Sequence, residues 1–327
     1  MKNLSRILII THNYLGDILM TMPLAYNIRK AYPNAVIALC IGKRGRAITT
    51  LATGIDTFII RENYDRFWNI GRVKREITQF KPDTVIDLRN SPWTHRMAYG
   101  SGASRIITVG ARSRIKHMQA EYVEIPETAS HLSDKALAAG VYIGLTEYTH
   151  AISLYETACP DPHQSIVFLP GTTRPAKLWS GEKWRALGEK IVAHTGKRIL
   201  VVGAKDDAAL STYFSDNLLF DDRIGKTSLT ELYCLLKHAS FIVTVDNGAL
   251  HIADYCDVPG LALFGPTDWR VAGPKNPLLQ VVEPEYSCTN HYCNAMKCTA
   301  MHHCMNDISV EHVFALYQKM IEKGEHS

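Results

Sequence analysis

The chain carries no low-complexity tract, no Walker sequence and no apolar run long enough to cross a membrane. Its first apolar stretch, Ile7 to Ile10, gives way at once to polar Thr11, His12 and Asn13. That stretch is too short for a signal h-region, and no small-residue cleavage site follows it, so the protein is expected to stay in the cytosol. A paired-histidine zinc helix is missing as well. The one approach to a dinucleotide fingerprint, Gly100-Ser101-Gly102-Ala103-Ser104-Arg105, precedes a strand pattern instead of following one, which argues against a nicotinamide enzyme. In a cytosolic setting the eight cysteines are read as packing residues, free thiols or metal ligands, not as a disulfide framework.

What is present is an alternation of short apolar runs and amphipathic stretches over 327 residues, enough for two cores. Strands are expected at Arg6–Ile10, Ala35–Ile41, Thr57–Ile60, Thr84–Leu88 and Arg105–Val109, with helices near Asp17–Ala31, Arg44–Leu51, Phe67–Phe80 and His131–Gly144 between them. The periodicity lapses between Thr146 and Gln164, where Cys159-Pro160-Asp161-Pro162 breaks regular structure. A second alternation follows, from a strand at Ser165–Leu169 to one at Leu261–Phe264, with helices expected over Asp206–Asn217 and Gly248–Cys256 among others. The fold class is therefore α/β, as two tandem doubly wound, Rossmann-like domains, 1–155 and 156–327, with a ligand cleft expected at the strand carboxyl ends. The C-terminal helix, with Val313, Leu316, Tyr317 and Met320 at helical spacing, reads as core packing, either in its own domain or back on the first.

Charge is divided unevenly. Residues 1–155 hold 20 Lys and Arg against 12 Asp and Glu, whereas residues 156–327 hold 16 against 20. A basic half suits an anionic partner, whether nucleic acid, a phosphorylated substrate or an anionic membrane face, although a solvated surface gives the same count. Lys43, Arg44 and Arg46 follow the second strand and Arg89 and Arg96 the fourth, with Arg112, Arg114 and Lys116 further on.

Three strand-to-helix junctions carry candidate chemistry. The first, His12-Asn13-Tyr14-Leu15-Gly16-Asp17, puts a carboxylate at a helix start beside a residue without Cβ; Asp17 is either a helix cap or a general base. The second, Pro170-Gly171-Thr172-Thr173-Arg174-Pro175-Ala176-Lys177-Leu178-Trp179, supplies hydroxyls, backbone amides and cations that suit a diphosphate, as would an ordinary polar turn. The third is Asp246-Asn247-Gly248-Ala249-Leu250-His251, followed by Phe264-Gly265-Pro266-Thr267-Asp268.

In this order and combination, these segments resemble glycosyltransferase family nine, the bacterial lipopolysaccharide heptosyltransferases, over residues 6–321. The resemblance implies a GT-B fold and an inverting, metal-independent transfer of heptose from ADP-heptose to a lipopolysaccharide inner-core acceptor, with no cofactor. It further implies Asp17 as general base, Thr172, Thr173 and Lys177 on the donor diphosphate, and Asp246, Gly248 and His251 around phosphate and sugar. Asp206 or Asp207 stands where the family usually has a donor-contacting Glu. Lys43, Arg44, Arg89 and Arg96 are assigned to the acceptor. The expected setting is the cytoplasmic face of the inner membrane, in peripheral contact with anionic lipid and without nucleic acid. Another nucleotide sugar, an epimerase on the same scaffold, or a non-catalytic nucleotide or anion-binding module remain as alternatives. Finally, Cys288, Cys293, Cys298 and Cys304 lie within 17 residues and could close a metal site, but they lack the Cys-x2-Cys knuckle, so reduced structural thiols are the favoured reading.

Overall fold

Ile7, Leu8, Ile9 and Ile10 are all fully buried, as a strand covered on both faces requires. In a computed structural model, which describes residues 4–62, 67–110, 120–126, 129–156, 165–216, 218–285, 292–298 and 303–325, they form β1 (Arg6–Ile10). The chain divides into two compact units, Met1–Tyr155 and Glu156–Ser327.

In the first unit β1 is joined by β2 (Val36–Gly42), β3 (Thr57–Arg61), β4 (Thr84–Asp87), β5 (Arg105–Val109) and β6 (Glu121–Val123). All pair in parallel, in the order β3-β2-β1-β4-β5-β6. The order reverses between β1 and β4, where Ile10 stands opposite Asp87, so the loops after these two strands part and leave a crevice at the sheet's carboxyl edge. Helices α1 (Leu15–Ala31), α2 (Phe67–Phe80), α3 (Pro92–Tyr99) and α4 (Leu132–Tyr142) cover the sheet. Buried Asn27 ties α1 to the segment after α4: its amide nitrogen donates to Thr149 O at 2.7 Å and its oxygen accepts from Thr149 N at 3.0 Å.

The second unit repeats the plan with β7 (Ile166–Leu169), β8 (Ile199–Gly203), β9 (Phe220–Ile224), β10 (Phe241–Val245), β11 (Gly260–Leu263) and β12 (Leu279–Val282), in the parallel order β12-β11-β10-β7-β8-β9. Here the reversal lies between β7 and β10. Its helices are α5 (Gly181–Thr195), α6 (Leu229–Lys237), α7 (Leu250–Ala253), α8 (Trp269–Ala272) and α9 (Val310–Glu325). Ser180 caps α5 by accepting from Lys183 N, and Gly196 ends it at φ 68°. Trp179 and Trp184, edge to face at 5.2 Å, are buried with Phe168 in the core. The apolar stripe of α9 belongs to that same core: Val310, Val313 and Tyr317 are buried in it, and Tyr317 meets Phe241 edge-on at 4.9 Å.

Several elements differ from the sequence expectation. Lys43–Thr50 and Lys205–Phe214 are wound as 3₁₀ segments, and the helix expected over Gly248–Cys256 shrinks to the four residues of α7. Strands β6, β9 and β12 and helix α3 carry too little apolar periodicity to be anticipated. Cys234 is disulfide-bonded, against the expectation of reduced thiols, because compartment arguments do not know which thiols the fold brings together. Cys40, Cys256, Cys293, Cys298 and Cys304 are free. Cys159, the Pro-rich junction around it, Cys288, Arg112, Arg114 and Lys116 lie outside the described residues. No helix among the described residues is long and apolar enough to cross a membrane.

Candidate active site

Chemistry-bearing side chains gather at the two points where strand order reverses. In the first unit, the loop from Thr11 to Tyr14 leaves β1 and enters α1, whose N-cap is Tyr14. Asp17 is therefore not the cap residue; it stands in the first turn, half-buried, immediately after buried Gly16. The loop is held from behind. Gly42 N donates to His12 O at 3.0 Å, and a Cβ on Gly42 would lie 2.4 Å from Asn13 Oδ1, so only glycine lets the two loops meet. From β3, the almost fully buried Arg61 donates to the carbonyls of Thr11 and His12 and lies over the Trp93 ring at 5.3 Å. Burial, followed by the charges of Arg89 and Arg61, depresses the His12 imidazole to about 4. His12 is thus neutral at physiological pH.

The loop after β4 supplies Arg89. Asp87, at 0% exposure, accepts from Arg89 N at 3.0 Å and Asn90 N at 3.2 Å through Oδ1, which fixes the turn. Burial raises the Asp87 carboxyl against those bonds and against His95, whose Nε2 is 3.7 Å from Oδ2. Of the other acceptor candidates, Arg44 is exposed and its guanidinium donates to Tyr14 OH while lying 5.0 Å above that ring, so it belongs to the same loop cluster. Lys43 is exposed and pairs with Glu62 at 3.2 Å. Arg96 is exposed in the last turn of α3, about 6 Å along the axis from the helix start.

In the second unit the loops after β7, β10 and β11 converge. Lys177 closes a short 3₁₀ turn (Pro175–Lys177), and its ammonium lies 2.5 Å from Asp246 Oδ2, with side-chain exposures of only 12% and 6%. Thr267 Oγ1 donates to the same carboxylate oxygen at 2.5 Å. Thr172 Oγ1 reaches Asp246 O at 3.5 Å, while Thr173 is exposed. Asn247 staples two loops: its Nδ2 donates to Leu169 O (3.2 Å) and Gly171 O (2.8 Å), and its Oδ1 accepts from Leu250 N (2.9 Å). Gly248 lies in the turn before α7 and His251 is buried within α7. Asp207 sits beneath the β7 loop, where a Cβ on Gly171 would come 2.0 Å from its Oδ2, and it accepts from Ala204 N at 2.8 Å. Burial raises its carboxyl above the usual range, with Asp206 adding to the rise and the Ala204 N–H opposing it.

Sequence reasoning assigned no role to Asn247 and Thr267, although both fall inside the motifs that point to the site. Of the cysteine cluster, Cys293 is exposed and Cys298 and Cys304 are half-buried, and no metal-binding group of His, Cys, Asp or Glu occurs among the described residues. Chemically, the first unit offers a half-buried carboxylate in the first turn of α1 and a neutral imidazole on the loop before it, and the second a buried Lys177–Asp246–Thr267 knot.

Residues 70–302 match the family model of Glycosyltransferase family 9 (heptosyltransferase). Lipopolysaccharide heptosyltransferase 1 of Salmonella typhimurium is 27% identical over 295 residues, covering 82% of this chain and 90% of that protein. Among solved structures, E. coli ADP-heptose lps heptosyltransferase II superposes with a TM-score of 0.79 at 17% identity, over 98% of this chain and 100% of that one. E. coli heptosyltransferase WaaC with ADP does so with a TM-score of 0.71 at 19% identity, over 98% and 99%. Both share the architecture of two doubly wound parallel sheets, the GT-B fold.

Proposed function

The chain belongs to glycosyltransferase family 9, the heptosyltransferases, and from that premise we propose that it moves heptose from ADP-heptose to an inner-core sugar of lipopolysaccharide, inverting the anomeric centre without a metal ion. The observation that carries the donor half of this reading is the Lys177–Asp246–Thr267 knot at the strand-order reversal of the second unit. Open α/β sheets bind nucleotides at such a reversal. The ADP in the related WaaC structure supports an adenine nucleotide as the donor carrier.

In the proposed reaction the acceptor hydroxyl attacks the anomeric carbon from the face opposite the diphosphate. As the new carbon–oxygen bond forms, its proton passes to the Asp17 carboxylate, and the electron pair of the breaking bond goes to the β-phosphate oxygen. Asp246 fixes the Lys177 ammonium, whose remaining N–H donors meet the charge growing on the leaving ADP. Thr172, Thr173, Gly248 and His251 line the diphosphate and sugar, and Asp207 supports the Gly171 turn from below. On the acceptor side, neutral His12 suits a sugar hydroxyl, while Arg44, Arg89, Lys43 and Arg96 suit phosphates and carboxylates. The same basic face would hold the enzyme against the anionic cytoplasmic leaflet.

The test is product analysis by mass spectrometry with a heptose-free inner-core acceptor and ADP-heptose against UDP- and GDP-sugars, each with and without EDTA. The expected result is one heptose added from ADP-heptose alone, unaffected by EDTA, with Asp17→Asn slower by about 10² to 10⁴ and donor affinity unchanged. Equal turnover from a UDP-sugar, or full activity in the Asp17 variant, would reject the corresponding part of the reading.

A further inference from the structure

The Lys177–Asp246 pair leaves an electrostatic question at the donor site. The two charges face each other at 2.5 Å and cancel, yet a departing nucleoside diphosphate gains negative charge that a neutral pair matches poorly. Arg174, three residues before Lys177, is the other cation of this loop. It is half-buried, its N–H donates to Thr172 Oγ1 at 3.4 Å, and no carboxylate pairs with it among the described residues.

Its guanidinium is nevertheless held. Nη1 donates to Oδ1 of Asn294, an amide that orients a guanidinium without cancelling its charge. Asn294 is itself anchored in the left-handed region at φ 50°, which asparagine tolerates, and its N–H donates to Pro266 O at 2.7 Å. Two residues on, Met296 O accepts from Ala176 N at 3.3 Å. Residues 292–298 thus bridge the loop of Arg174 and Lys177 to the loop of Pro266 and Thr267, and Thr267 is the residue whose hydroxyl bonds Asp246. The Arg174 head is therefore held by a residue whose backbone is anchored to Pro266, the neighbour of Thr267, with four N–H donors beyond the one given to Asn294.

We propose that Arg174 is the net positive charge of the donor site, contacting the diphosphate of the nucleotide, and that Asn294 is its positioning residue, chosen as a neutral clamp. The proposal rests on the second unit being the nucleotide site. A carboxylate at position 294 would hold the guanidinium equally well and extinguish its charge.

Isothermal titration of ADP, and of adenosine as a phosphate-free probe, into the intact wild-type protein and its variants provides the test. Arg174→Gln should weaken ADP by about 10- to 100-fold and flatten the salt dependence of binding, with adenosine unaffected. Asn294→Asp should weaken ADP by a comparable factor while melting no lower than wild type, which a purely structural role does not predict; Asn294→Ala should lose less. Wild-type ADP affinity in either Arg174→Gln or Asn294→Asp, while Lys177→Ala binds weakly, overturns this proposal and leaves the donor site standing. Failure of the wild type to bind any nucleoside diphosphate overturns both.

Discussion

Replacing Lys177 by methionine isolates the buried ion pair, because methionine keeps most of the side-chain volume and removes only the charge and its N–H donors. In the wild type the ammonium and the Asp246 carboxylate are 2.5 Å apart at 12% and 6% exposure, so neither partner can turn to water when the other is lost. Breaking such a pair costs about 3–5 kcal/mol. Asp246 keeps its bond from Thr267, which places the expectation near the lower figure, ~3 kcal/mol. For a unit of this size that lowers the melting temperature by about 6–12 °C. Removing both charges with Lys177→Met and Asp246→Leu together should recover most of the loss, since two well-packed apolar groups rival a buried pair. Near-ultraviolet circular dichroism of the buried Trp179 and Trp184 reports the melt of this unit. The deficit should persist in 1 M salt, where only surface pairs are screened away. A single variant that melts with the wild type, or a double variant no more stable than the single, would refute the reasoning.

Gly171→Ala should destabilise by about 1–3 kcal/mol through overpacking, since the new Cβ would stand 2.0 Å from Asp207 Oδ2, and adding Asp207→Ala should relieve much of it in urea denaturation. His12 should make the first unit acid-sensitive. Its folded value of about 4 lies below the ordinary 6.5, so between these values the unfolded chain holds the extra proton; stability is full above about pH 6.5 and falls by up to ~3 kcal/mol as pH drops through 4. Thermal melts of His12→Gln should lose that part of the pH dependence, and an unchanged acid limb would count against it. Changing Arg44, Arg89 and Arg96 together to glutamine should raise acceptor KM and weaken binding to anionic vesicles while sparing ADP. Normal acceptor binding with lost ADP binding would mean that the units' roles are exchanged.

The central strands were legible because burial on both faces writes continuous apolar runs, as in Ile7 to Ile10 and Phe241 to Val245. Edge strands write no such signal. Strand β9, Phe-Asp-Asp-Arg-Ile, buries only its two ends, and three charges on an edge read as a loop. Strands β6 and β12 are also edges, one of them only three residues long. At the site, Asp17, Lys177 and Asp246 could be named as candidates because they fall within recognisable motifs. Asn247, Thr267 and Asn294 act through amides and hydroxyls that staple loops, and no periodicity marks which loop will meet which. The expectation of Asp17 as a possible cap also failed on geometry, because the helix begins at Leu15 and its N-cap is Tyr14, three residues before Asp17.

The burial of α9 in the second unit's core has a consequence for how the protein is made. Tyr317 and Val313 complete a core begun at Ile166 and Phe168, so the unit cannot close until α9 has left the ribosome. The first unit has its own sheet and its last helix, α4, by residue 142, and can fold during synthesis. Until α9 has emerged, the second exposes the faces of Phe241, Val243 and Leu261 that α9 and its neighbours cover, and an interrupted message would leave that surface open permanently. A chain stopped before Val310 should therefore accumulate as a folded first unit bearing an aggregation-prone tail, and be recognised by chaperones and proteases rather than persist as a weak enzyme.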